Sequence, residues 1–262
     1  MINFPIFEKL EVDEFGLYPG NAKSHGLKAN FRPGLTLVLG SNGLGKTTLV
    51  TVLFRMLTGP FDIPALTKRA DLGNAKLDVT ALNRPARRAF AQRVSDGASN
   101  ARATLQFTIG KDEVILERRL ADLTLSRFSL NGEEQPTDEM ESFQPKIAKL
   151  AGVWSFGDWI LLLRHMVFYF EDRRELVWDP SAQRQLLRTL LLSPSLAQQW
   201  TQDERSILEL DSRMRNLRFA VGREERALSE VETKVEKGTD VKEELKALEE
   251  LQGADFERRE VL

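Results

Sequence analysis

Cysteine is absent from this 262-residue chain, which removes disulfides, thiolate metal sites and cysteine nucleophiles together. Histidine is almost absent: His25 and His165 stand far apart with no Cys or His partners, which argues against a zinc site and makes His165 a packed residue. Long apolar runs are missing too. The most apolar stretch, Trp159 to Phe170, is interrupted by Arg164 and His165 and is too short to span a bilayer. The acidic N-terminus, Met1 to Phe15, lacks a basic region followed by an apolar one and does not read as a signal peptide. Charge of one sign does not accumulate either. At a net −2, any affinity for nucleic acid must come from a local patch. These absences point to a cytoplasmic protein without membrane attachment. The length supports one large domain or two smaller ones with a real core.

What the chain does have is Gly40-Ser41-Asn42-Gly43-Leu44-Gly45-Lys46-Thr47-Thr48, which fits the phosphate-loop pattern G-x-x-x-x-G-K-[ST]. The context fits as well. Gly34 to Leu39 is a short apolar, partly β-branched run that reads as a buried strand. Lys46 to Leu57 places Leu49, Val52, Leu53 and Met56 at helical spacing, and Gly59-Pro60 stops it. In such a unit backbone N–H groups and the helix N-terminus hold phosphates. Gly40, Gly43 and Gly45 allow conformations that a Cβ would penalise. Lys46 reaches the β- and γ-phosphates and the Thr47 hydroxyl holds Mg²⁺. The motif predicts a nucleoside-triphosphate site.

Around it, Phe7 to Phe15 and Leu27 to Phe31 read as strands, separated by a loop. Residues 61–100 form a polar, irregular and basic insertion. Arg84, Arg87, Arg88 and Arg93 within it are candidates for contacting DNA phosphates, with a solvated loop as the alternative. Period-two alternation then begins at Leu105, Phe107 and Ile109. It continues through Val114–Leu120 and Leu123–Leu130, with turns at Gly110-Lys111-Asp112 and Asn131-Gly132, giving an antiparallel meander. Asp138–Leu150 and Phe156–Arg164 read as helices, the first weakened by Pro145. Met166–Phe170 reads as a strand ending in Glu171-Asp172, and Ser181–Leu192 as a helix. From residue 196 the chain becomes a charged helix. Trp200, Ile207, Met214, Val221, Leu228 and Val235 recur every seven residues, with Leu210, Leu217 and Val231 between them, as in a coiled-coil seam. Trp200 to Lys237 would extend roughly 55 Å. Gly238-Thr239 interrupts it, and Asp240 with Glu243 fits a capping box that restarts a helix. The expected division is residues 1–195 and 196–262, with the break near 238–240.

A Gly-x-Asn-Gly-x-Gly-Lys phosphate loop near the N-terminus, followed by a coiled coil, resembles the N-terminal half of an SMC-type ATPase. That family includes the structural-maintenance-of-chromosomes proteins and related ATPases of double-strand-break repair. The layout covers the whole chain, while motif identity is confined to Gly40–Thr48. The resemblance implies an α/β, ABC-type head whose mixed sheet carries the antiparallel meander and leads into the coiled coil. It implies ATP and Mg²⁺ as cofactors and a second copy of the head as partner. It also implies a C-terminal half supplying the signature sequence and Walker B acids; no signature-like Ser-Gly-Gly occurs here.

Phe168-Tyr169-Phe170-Glu171-Asp172 has two readings. It superficially matches a Walker B strand, though with the acids reversed. Its place before the coiled coil matches the family's glutamine loop, with Glu171 in the glutamine's position. On either, Glu171 lies near the γ-phosphate as a catalytic or metal-binding carboxylate; a surface acid ending a strand is the third possibility. The run to Arg174, followed by Trp178-Asp179-Pro180, is similar to the SMC-like subunit of Lamassu-type anti-phage systems, which implies effector or accessory subunits. Two functions follow: an ATP-driven machine acting on DNA in defence or repair, or a nucleotide-gated clamp or sensor with little turnover.

Overall fold

A computed structural model describes residues 2–18, 20, 26–63, 79–170 and 180–260. The chain forms two units, Met1–Arg205 and Ser206–Leu262.

In the first unit β1 (Pro5–Asp13) pairs antiparallel with β2 (Gly26–Asn30). α1 (Lys46–Thr58) follows, then a small pair, β3 (Phe61–Asp62) with β4 (Thr80–Ala81). The four-residue α2 (Arg84–Arg87) leads towards β5 (Arg102–Ile109), which pairs with the other side of β1. β6 (Asp112–Arg119), β7 (Leu125–Leu130) and β8 (Glu133–Glu134) complete the order β2-β1-β5-β6-β7-β8. The expected meander is present, and every pairing among the described residues of this sheet is antiparallel. Alternation sends Ala103, Leu105, Phe107 and Ile109 of β5 and Val114 and Leu116 of β6 into the core, where α1 lies across both strands. Asn131 and Gly132, both at positive φ, make the tight β7–β8 turn that their dipeptide predicts.

Four local expectations are corrected. Residues 35–39 carry no strand pairing, and Leu35 and Leu39 are each 85% exposed. No described strand lies beside this ribbon to pair with it. Asp138–Leu150 is a π-helical turn, Glu139–Phe143, followed by α3 (Gln144–Ala151). Pro145 sits in the first turn of α3, where a missing N–H costs nothing, so it opens that helix rather than weakening it. After α4 (Phe156–Leu162), Leu163–Val167 is another π-helical turn. Of the expected strand, Phe168 takes extended backbone, and Phe168–Phe170 carries no strand pairing among the described residues. α5 spans Pro180–Leu191.

The fourth correction concerns α6, which runs unbroken from Pro194 to Glu260. Gly238-Thr239 does not interrupt it. A glycine inside a helix costs only about 1 kcal/mol, and the Thr239 hydroxyl returns a 2.8 Å hydrogen bond to the Val235 carbonyl. In the second unit the seam residues Leu210, Leu217, Val221, Leu228 and Val235 are all exposed. Among the described residues, no helix is long and apolar enough to cross a membrane.

Candidate nucleotide-binding site

The phosphate loop connects β2 to α1 on residues whose backbone is chosen for it. Gly43 and Gly45 take φ of 88° and 81°, in the left-handed region that favours glycine. A Cβ on Gly45 would stand 2.9 Å from Leu17 Cδ2 and 3.1 Å from Tyr18 Cε1, so a side chain here would have to displace Leu17 as well as strain the backbone. Gly45 precedes α1 with no side-chain cap, and no acid occupies the first turn. The N–H groups there are left for an outside acceptor. Lys46 Nζ donates to the carbonyls of Gly40 and Ser41 at 2.7 and 2.8 Å, holding its ammonium over the start of the loop. Thr47 is exposed beside it, whereas Thr48 is buried.

α1 is anchored towards its C-terminal end. Arg118 faces the core from β6 and is fully buried. Its Nε donates to the Met56 carbonyl at 3.0 Å, satisfying one orphan acceptor at the C-terminal end of α1, and the guanidinium forks onto Glu139. Asp62, just past α1, accepts from Arg55 at 3.0 Å and from Arg164 Nε at 3.0 Å. Phe54 of α1 meets Phe168 and Phe170 edge-on, each at 5.4 Å between centroids. The segment after α4 is therefore fixed to α1 by charge and by aromatic packing.

Tyr18 joins the site without any sequence signal. It is buried, and its hydroxyl donates to the Gly45 carbonyl at 3.2 Å. Burial pushes its phenol up to about 12, against the opposing charge of Arg93. Arg93 itself, grouped by sequence with the other insertion arginines, donates from Nη1 to the Thr48 hydroxyl. Arg84, Arg87 and Arg88 sit elsewhere, exposed on and after α2, which Asn83 caps by accepting from the Ala86 N–H at 2.9 Å. None of these three pairs with a carboxylate among the described residues. Glu171 and His25 lie outside the described residues. No period or motif marks Tyr18 or Arg93; only the fold brings them to the loop.

The donor set suits a polyphosphate: two left-handed glycines, a helix N-terminus without a side-chain cap, an ammonium and, among the described residues, no acid in the first turn of α1. Thr47 offers one hydroxyl for Mg²⁺, an ion that takes few protein ligands beside phosphate oxygens. Among the described residues no three Asp, Glu or His side chains gather as a metal cage.

A glycine-rich loop feeding a helix beside an antiparallel meander defines a P-loop nucleotide-binding domain. A protein-family model described as an AAA domain matches residues 9–260, nearly the whole chain. The chain belongs to that family of P-loop ATPases, which is found in SMC-like proteins. None of the curated proteins matches it.

Proposed function

We propose that this chain is the N-terminal half of an SMC-type ATPase head, working in the cytoplasm on ATP and Mg²⁺. A second copy of the head closes on the bound nucleotide, and a C-terminal half brings the signature sequence and the Walker B carboxylate. The observation that carries this reading is the apolar ribbon Leu35–Leu39, exposed beside the phosphate loop and unpaired among the described residues. A ribbon of this kind is a strand waiting for a neighbour. The exposed seam of α6 asks for a helical partner in the same way.

Within that site Lys46 would neutralise charge on the β- and γ-phosphates, and the Thr47 hydroxyl would hold Mg²⁺. Bound Mg²⁺ supplies further charge neutralisation. Neither Lys46 nor Thr47 has a carboxylate partner among the described residues, so water activation falls to the C-terminal half or to Glu171. Arg84, Arg87 and Arg88 are the proposed DNA contacts. The likeness to Lamassu-type systems supports anti-phage defence with effector or accessory subunits as the setting; DNA repair is the other role found in the wider family. A nucleotide-gated clamp with little turnover is the second reading, favoured by the same lack of a carboxylate at Lys46 and Thr47.

The test is turnover by the 262 residues alone and with the C-terminal half supplied. The proposal expects negligible hydrolysis alone, and restored hydrolysis rising more steeply than linearly with enzyme concentration. Rapid turnover by the isolated chain, linear in enzyme, contradicts it. No turnover with both halves present, while ATP still binds, selects the clamp.

A further inference from the structure

One guanidinium beside the phosphate loop has no task in that chemistry. Arg93 closes the short 3₁₀ turn Ala91–Arg93. That turn is held down by its neighbours: Ala91 is buried, and buried Phe90 meets Phe15 edge-on at 6.4 Å between centroids. The Arg93 side chain is therefore delivered to one place, the first turn of α1, where Nη1 donates to the hydroxyl of buried Thr48. Arg93 is otherwise exposed to solvent, and among the described residues no carboxylate pairs with it. A guanidinium has five N–H donors, so most remain for another acceptor.

The location is electrostatically adverse for a purely structural arginine. Cations stabilise the C-terminal end of a helix, as Arg118 does at Met56, and are disfavoured at the N-terminal end. Here the helix N-terminus, Lys46 and Arg93 bring positive charge together, with no acid in the first turn to offset it. Tyr18 adds no counter-charge, because its hydroxyl donates to Gly45. Such a concentration of donors is stabilised by a bound polyanion.

The geometry points to Arg93 as a nucleotide-binding residue that contacts the phosphates shared by ATP and ADP. This inference rests on the reading of Gly40–Thr48 as a nucleotide site. Lys46 and Thr47 serve the β/γ end and the metal, and the loop backbone cradles the α/β end. Arg93, hydrogen-bonded one residue past Thr47, completes the cradle from the insertion side. It therefore differs in role from Arg84, Arg87 and Arg88. The insertion thereby becomes part of the nucleotide site.

Calorimetric titration of ATP and ADP into the 262-residue chain and into R93A, R93Q and K46A tests this. R93Q keeps a donor for Thr48 and removes the charge, so a role limited to holding Thr48 survives in it. The expected result is an affinity loss of about tenfold for both nucleotides in R93A and in R93Q, with folded circular dichroism spectra. Parent-like affinity for ADP in folded R93Q overturns the inference, whether or not R93A folds. K46A losing affinity while R93Q does not would leave the phosphate loop standing and remove Arg93 from it. A parent chain that binds neither nucleotide, or K46A that binds as the parent does, overturns the nucleotide reading and this inference with it.

Discussion

Arg188 of α5 and Asp158 of α4 form an ion pair that is almost wholly withdrawn from water, at 4% and 0% exposure. The same guanidinium donates from Nε to Gln185 Oε1 at 2.9 Å and from Nη1 to the Thr201 hydroxyl at 3.3 Å, on the early turns of α6. Thr189 adds a donor to Asp158 at 3.2 Å. Three helices of the first unit thus meet on one charge pair. Removing Arg188 alone strands an anion in the core, for which a loss of about 3–5 kcal/mol is expected. Chemical denaturation of R188A should report it. R188M combined with D158N keeps volume, removes both charges and should recover most of that loss; a double variant no more stable than R188A would contradict this account of the joint.

Asp62 is the corresponding tie on α1. Asp62→Ala leaves Arg55 and Arg164 without their shared carboxylate, and Arg55 is well buried. A destabilisation of about 2–3 kcal/mol is expected. The measurement is the denaturant midpoint, with an unchanged slope if the fold is otherwise intact.

Tyr18 predicts an alkaline limit. Below pH 10 its phenol is protonated in both the folded and the unfolded chain. Between about 10 and about 12 the unfolded chain releases that proton while the folded chain keeps it. The unfolded state is favoured over that window, so stability falls as pH rises through it. In a Y169F background Tyr18 is the remaining tyrosine. Its ultraviolet ionisation should centre near pH 12 while the protein stays folded. Ionisation near 10 would contradict the burial of its hydroxyl against Gly45.

Replacing Arg84, Arg87 and Arg88 by alanine tests the proposed DNA surface. If these side chains bind phosphates, the dependence of log K on log salt should flatten by roughly 0.9 for every phosphate no longer neutralised. An unchanged slope would make this stretch a solvated surface.

Much of the fold and the site is legible in the sequence, for identifiable reasons. The phosphate loop is written in glycines whose left-handed φ is seen at Gly43 and Gly45. The meander is written in alternation, and the seam of α6 in sevens. Three kinds of feature are not legible. The ribbon 35–39 has a strand's composition, but pairing depends on a neighbour that composition cannot supply. Pro145 and Gly238 read as breakers, whereas position within the first turn and a threonine back-bond neutralise them. Finally, Arg118 and Arg188 look like surface charges until the fold surrounds them with acceptors, and Arg93 looks like its arginine neighbours until Phe90 fixes its turn. In Arg118 a signal exists: it continues the inward register of Val114 and Leu116 on β6.

The proposed nucleotide site at Gly40–Thr48 with Lys46 stands or falls on calorimetry of ATP binding to the parent chain and to K46A. In that site Lys46 would contribute a charge-assisted hydrogen bond worth about 1.5–3 kcal/mol to a multiply charged group. ATP binding by the parent is expected, with an affinity reduced at least tenfold, to the point of undetectable heat, in K46A. Equal ATP affinity in the two would contradict it.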